Sequence, residues 1–429
     1  MIFVLAALWS LGMHAQKKWT LDDCISYALD NNISMKLVKL QQQSAQEEVK
    51  QSKAALLPTL TASTSQGVGY SPWDDSGTDK SYYNGSYGVN AQWTVWNGGR
   101  NTNTVKLNKL NEEQANQSVN ELSNSLQEQI TKLYIQILYM AEAIEVNRQS
   151  LETSKKNEER GRQMVEVGKM SKADLAQLSA QRSASEYAVV ESETQLARYK
   201  LQLKQVLELT GDADFDVAIP TTSDQQALAN IPSMKSVYEA ALAHRPEIKN
   251  AQLDIEASKL QMKIAKAGKL PSVSLTGNMS SSTNSMPKTA WGSQIKQNFG
   301  LSASVGVSVP ILDGRKTKTS INQARLAQEQ AQLALQEEED DLYATIEGYW
   351  LDAVNNQNKF RSALATVESE QESYNLLSEQ FNLGLKNIVE LMTGKDKLLT
   401  AQQNKLQSKY VTILAQQLLQ FYQNGTRKI

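Results

Sequence analysis

The sequence predicts an α+β membrane protein, internally duplicated, in which uncharged strands lead into very long helices. Three observations carry that reading. A short alternating strand ending in a tight glycine turn occurs twice, at Thr94-Val95-Trp96-Asn97-Gly98-Gly99 and at Pro310-Ile311-Leu312-Asp313-Gly314. Each turn opens a proline-free stretch rich in Gln, Glu, Asn and Lys, broken by a glycine far downstream. Gly168 lies 70 residues after Gly98, and Gly384 lies 70 residues after Gly314. Upstream, Ala28-Leu29 matches Ala241-Leu242 and Leu57-Pro58 matches Leu270-Pro271 at a single offset of 213 residues. The chain is a tandem repeat of one supersecondary unit.

Composition agrees. At 429 residues the length alone suggests two or three domains. Aromatic residues are only 7% of the chain, and the eight prolines all lie outside the two long polar stretches. That is the composition of long helices rather than deep globular cores. A formal net charge of −2 gives no electrostatic reason to expect nucleic acid.

In chain order, Ile2–Leu11 is a short apolar run followed by Gly-Met-His-Ala-Gln, and residues 1–15 read as a signal peptide. The run is too short to span a bilayer as a helix. No later segment has about 18 consecutive apolar residues. Export without a helical span leaves a soluble periplasmic or secreted protein, or a β-barrel. Cys24, alone, has no internal disulfide partner and reads as a small buried apolar residue.

From Thr20 to Leu57 apolar residues recur at helical spacing, with Thr20 and Asp23 forming a capping box. The same design returns from Ser236 to Leu270. Four strands follow from period-two alternation, at about 59–70, 87–96, 271–280 and 299–312. In the second and fourth, one face is Tyr, Val, Ala, Trp and Leu, and the other Gly, Ser, Asn, Gln and Thr. Such strands suit a barrel with one side on lipid, carried by Trp93, Trp96, Phe299, Val305 and Val307. Alternation by itself does not separate lipid from core, and a soluble antiparallel sheet would show it too, but the chain offers no other apolar material to cover such a face. Ser71–Ser86 and Ser280–Asn298 read as exposed hairpin loops.

From Arg100 to about Val167 the apolar positions thin to a seam through Leu122, Leu126, Ile130, Leu133, Ile137, Met140, Ile144 and Leu151. Sixty-odd helical residues extend roughly 100 Å. A second helix runs from Ala173 to Leu209. The other copy repeats this, through Leu342, Ile346, Tyr349 and Phe360, and then from Val389 to Tyr422. The expected division is a first repeat at 16–211, a connector at 212–234 and a second repeat at 235–429, with helix-tip turns at 167–174 and 383–390.

No catalytic constellation, cofactor-binding motif or metal-ligand spacing is present, and no enzyme is expected. His244, in Ala-His-Arg-Pro, sits at a helix end. The run Glu337–Asp341 is a solvated helix face. The tip turns carry two readings. In the first, Gly168 and Gly384 end one helix in the left-handed conformation, and Ser171/Asp174 and Asn387/Glu390 cap the next. In the second, Asp174, Lys386 and Glu390 ring an aperture and set its charge selectivity.

The order helix, Leu-Pro, strand, loop, strand, Asn/Asp-Gly turn, long helix and tip turn, made twice, resembles the outer-membrane efflux protein family, the TolC-like exit ducts. The match covers nearly all of the chain after residue 15. The resemblance implies a homotrimer, each chain giving four strands to one shared twelve-stranded barrel in outer-membrane lipid. It implies a long periplasmic α-helical barrel continuing the duct, and a tip that docks a membrane-fusion adaptor bound to an inner-membrane pump. By position, Lys386 falls on the family's basic tip residue and Asp174 and Glu390 on its acidic ones, implying an iris-like gate held by such residues. The chain departs at Thr393, where some relatives carry a second acidic residue. The expected role is passive exit of small molecules from a Gram-negative periplasm. Type I protein secretion and a soluble periplasmic coiled-coil scaffold are the alternatives.

Overall fold

A computed structural model describes residues 18–73, 80–210, 215–220, 223–285 and 289–425. The signal-peptide reading of residues 1–15 lies outside them. The elements run α1 (Leu21–Asn31), α2 (Ile33–Ala54), β1 (Thr59–Tyr70), β2 (Ser81–Trp96), α3 (Arg100–Glu166), α4 (Lys172–Val206), α5 (Asp224–Ala227), α6 (Met234–His244), α7 (Pro246–Ala267), β3 (Ser272–Asn284), α8 (Trp291–Gln297), β4 (Gly300–Ser308), α9 (Lys316–Asn382) and α10 (Ile388–Asn424). Several pair by length: α1 with α6 at 11 residues, α2 with α7 at 22, and α3 with α9 at 67. Among the described residues no helix is long and apolar enough to cross a membrane.

Two compact units form. One comprises the described residues up to Leu37, Val119–Pro246 and the chain from Glu339 onward; the other comprises Val38–Ser118 and Glu247–Glu338. The first holds the main core. Leu21, Cys24, Ile25 and Ala28 of α1 pack with Ile130, Tyr134, Ile137 and Leu138 of α3, Leu203 of α4, Phe360 of α9, and Leu406, Tyr410 and Ile413 of α10. Burial there pushes the Cys24 thiol up to about 12, so it behaves as a small apolar residue. The connector docks on this core: Trp19 bridges Val217, and Gln357 donates to the Ala227 and Ala229 carbonyls at 2.9 and 2.8 Å.

The run Thr20–Leu57 is two helices. Thr20 and Asp23 form the expected capping box, but Asn32 leaves helical geometry at φ −57°, ψ 133°. Its side chain donates to the Val206 carbonyl at 3.0 Å and accepts from the Ser34 amide at 2.9 Å. One residue thereby ends α1 and starts α2. Pro246 imposes the matching break, holding Arg245 at φ −67°, ψ 130° between α6 and α7.

In the second unit the strands form one antiparallel sheet in the order β1-β2-β3-β4. β2 starts at Ser81 rather than near 87, β3 runs on to Asn284, and β4 ends at Ser308 rather than near 312. The stretch Ser280–Asn298 is not a plain loop, since it contains the end of β3 and all of α8. After β2, Gly98 adopts φ +68°, and a Cβ there would meet the Ala267 carbonyl oxygen at 2.9 Å, so only glycine fits. Asn97 then accepts from the Asn101 amide at 3.1 Å, and Asp313 from the Thr317 amide at 2.8 Å, so each strand turns into its long helix through a side-chain cap.

Candidate functional site: the helix tips and the two-faced sheet

The tip turns are built alike. Gly168 has φ +71° and Gly384 φ +75°. The Lys169 amide donates to the Met164 carbonyl at 2.8 Å and the Gly168 amide to Val165 at 3.0 Å; Leu385 donates to Gln380 at 2.9 Å and Gly384 to Phe381 at 3.0 Å. Both helices end in Schellman motifs, whose left-handed residue selects glycine. No atom lies within 4 Å of a Cβ built on either glycine, so conformation alone makes the selection.

The next helices start on side-chain caps. Ser171 accepts from the Asp174 amide at 3.0 Å and Asn387 from the Glu390 amide at 2.9 Å. The reciprocal arm expected of a capping box goes elsewhere. Asp174 accepts from the Ser171 hydroxyl at 2.8 Å, and Glu390 pairs with the Lys386 ammonium. That lysine holds the Glu390 carboxyl below the usual carboxylate range. Lys386 therefore finds its partner within its own hairpin.

Beneath the turns Leu178, Tyr374, Phe381, Ile388, Leu391 and Leu398 form a small core with Met164, Met170 and Met392. Polar contacts tie the α3–α4 hairpin to the α9–α10 hairpin: Arg160 donates to Asn382 at 2.6 Å, Asn157 to the Tyr374 hydroxyl at 3.1 Å, and Gln181 to Asp396 at 3.0 Å. Lys395, only 4% exposed, donates to the Ser154 hydroxyl and, at 2.9 Å, to that of Ser185. No sequence motif marks Asn157, Arg160, Gln181 or Lys395. Lys395 was findable in part, because Ile388, Leu391, Lys395 and Leu398 keep the three-four-three spacing of a packed face.

The sheet divides its residues cleanly. Paired residues share a face, so the register puts Leu60, Ala62, Val89, Ala91, Trp93, Leu275, Met279, Leu301, Ala303, Val305 and Val307 on one side. Thr61, Ser63, Asn90, Gln92, Thr276, Asn278, Ser302 and Ser304 lie on the other. A bulge between Thr94 and Trp96 sets Trp96 opposite Val273, so Trp93 and Trp96 share the apolar face although three residues apart. Val305 and Val307 are 67% and 63% exposed. Phe299 is exposed and immediately precedes β4. Among the described residues no cluster of three or more His, Cys, Asp or Glu could hold a metal ion.

The sequence profile of the outer membrane efflux protein family matches residues 24–208 and 237–425. Over 423 residues the chain is 23% identical to the outer membrane protein TolC of Vibrio cholerae, covering 96% of this chain and 92% of that one. It is 22% identical over 423 residues to the toxin and drug export protein A of Aggregatibacter actinomycetemcomitans, covering 95% and 86%. Among solved structures, the outer membrane protein VceC of Vibrio cholerae superposes with a TM-score of 0.80 at 17% identity, over 93% of this chain and 95% of that one. The chain thus belongs to the outer membrane efflux protein family: it is an exit duct for efflux, seated in the outer membrane of a Gram-negative bacterium and extending into the periplasm.

Proposed function

We propose that three copies of this chain close into one barrel, that the apolar sheet face meets lipid, and that the helix tips form a gated periplasmic end which meets an adaptor and an inner-membrane pump. The observation that carries this reading is the two-faced sheet. Among the described residues no element covers the apolar face over Val273–Met279 or the outer edges of β1 and β4. Open edges in a stable protein need partners, and a ring of identical sheets supplies both edges at once. The opposite face, of Ser, Thr, Asn, Gln and Gly, suits a water-filled lumen of broad tolerance.

The duplicated division into repeats at 16–211 and 235–429 fits the paired element lengths. The tip residues Gly168, Ser171, Asp174, Gly384, Lys386, Asn387 and Glu390 form the proposed gate and adaptor contact. The channel reading leaves no role for catalysis, and the chain is not an enzyme. The duct itself does no work: solutes delivered by the pump move through it passively. A second reading, export of proteins through the same duct, is favoured by the relative named for toxin as well as drug export.

Purified protein reconstituted in lipid is expected to run as a trimer and to conduct ions across planar bilayers. A stable, water-soluble monomer that forms without detergent or lipid overturns the proposal.

A further inference from the structure

The helix α8, between β3 and β4, lies against the sheet, and hydrogen bonds fix which face it covers. Ser281 donates to the Ile295 carbonyl at 2.8 Å, and the Trp291 indole donates to the Tyr87 hydroxyl at 3.3 Å with the two rings edge to face at 6.0 Å. Gln294, 7% exposed, accepts from the Asn284 amide at 2.7 Å and donates to the Thr289 carbonyl at 2.7 Å. Asn298 anchors the far end on the Ser282 carbonyl at 2.6 Å. Tyr87 pairs with Ser281, two residues along from the Val89–Met279 pair. By the period of two, Tyr87, Ser281 and Thr283 share the face of Met279, Leu275 and Val305. α8 therefore covers the apolar side of the sheet at the loop end, not the polar side.

That position gives α8 a task. Between Val273 and Met279 the face is apolar over about 20 Å of strand. Beyond Met279 it turns polar at Ser281 and Thr283, both buried, with Ser281 bonded to α8. The outward surface of α8 is Gly292, Ser293, Lys296 and Gln297, all exposed, and its one charge is the Lys296 cation. Trp291 and Phe299, at 58% and 56% exposed, flank it. A polar, singly cationic surface between half-exposed aromatic rings, continuous with a hydrocarbon-facing band, has the chemistry of the headgroup layer.

We propose that α8 is an interfacial helix lying outside the barrel at the outer-leaflet boundary, where Lys296 binds the anionic headgroups of lipopolysaccharide. The inference rests on the reading of the apolar face as lipid-facing, and the test separates the two. Full-length protein carrying Cys24→Ala is spin-labelled at Ser293→Cys or at Val305→Cys and reconstituted in vesicles of phosphatidylcholine with or without lipopolysaccharide. The Val305 label is expected in hydrocarbon, open to oxygen and closed to a water-soluble nickel chelate. The Ser293 label is expected at headgroup depth, with its nickel access reduced when lipopolysaccharide is present. Lys296→Glu is expected to lower the lipopolysaccharide that co-purifies per trimer about five-fold, and Lys296→Gln by less. A Val305 label open to nickel sinks the lipid-facing reading itself. A Val305 label in hydrocarbon with a Ser293 label fully open to nickel and indifferent to lipopolysaccharide, or retention unchanged in both Lys296 variants, overturns the assignment of α8 alone.

Discussion

Lys395 occupies a place built for an apolar side chain. It follows Leu391 by four residues and precedes Leu398 by three, on the face that packs the tip core. Its ammonium donates to two hydroxyls, those of Ser154 on α3 and Ser185 on α4. Those hydroxyls are also bonded to their own helices, to the Ser150 and Gln181 carbonyls, each at 3.0 Å. Burial holds the Lys395 pKa below its ordinary 10.5, and neighbouring Asp396 offsets this only in part. Between the folded value and 10.5 the unfolded chain binds more protons, so stability rises with pH across that window. Lys395→Met keeps the stem volume, removes the buried charge and leaves the serines bonded to their helices. It is expected to raise stability at pH 7 by about 1–2 kcal/mol, a gain that shrinks as pH approaches 10.5. Chemical unfolding of the reconstituted protein at both pH values measures it; a loss of stability at both refutes the account. The spacing around Lys395 was legible in the sequence. Its partners were not, because they lie 241 and 210 residues away along the chain.

At the scale of the element, the tip turns allow capping and gating to be told apart. The cap at α10 uses the Asn387 side chain and the Glu390 backbone amide, and does not involve the Glu390 carboxylate. Asn387→Ala is therefore expected to cost about 1 kcal/mol, and Gly384→Ala about 1–2 kcal/mol from its φ of +75°. Glu390→Gln leaves the cap intact and removes only the charge facing Lys386. If that pair holds the entrance closed, Glu390→Gln raises closed-state leak while leaving the unfolding midpoint near that of the parent. Because Lys386 depresses the Glu390 pKa, the charged pair is fully formed above the ordinary carboxyl value of 4.5 and is lost only as pH falls through the lower folded value. Leak in the parent should stay flat from pH 7 to 4.5 and climb below it; a flat record in both experiments leaves Glu390 no gating role. These turns were readable because a Gly followed by Ser-x-x-Asp or Asn-x-x-Glu is a local signal. The bulge at Thr94–Trp96 and the path of α8 were not, since each depends on which strand lies alongside.

For the whole molecule, the sheet poses a question that a single chain leaves open: what covers the outer edges of β1 and β4 and the apolar band from Val273 to Met279, over which no described element lies. Period-two alternation made the two faces legible, and the structure added the register that turns them into surfaces. Thr276 and Ser304 are directly opposed on the polar face, their hydroxyls 2.6 Å apart. Val305 follows immediately, opposite Leu275 on the apolar face. Adjacent residues of one strand thus face the two environments, so one substitution tried at both sites compares them with little change of strand context. Val305→Lys sets a cation against lipid, at about 2–4 kcal/mol per chain near the bilayer midplane. A closed trimer incurs that cost three times, enough to abolish folding into vesicles as read by the heat-modifiable trimer band on gels. Ser304→Lys sets the same cation in the water-filled duct, where it stays hydrated. It should assemble normally and shift single-channel selectivity toward anions, since a symmetric trimer carries three such charges around one pore. Equal assembly of the two variants contradicts the lipid-facing assignment. A normal Ser304→Lys trimer with unaltered selectivity contradicts the placement of the polar face on the conducting path.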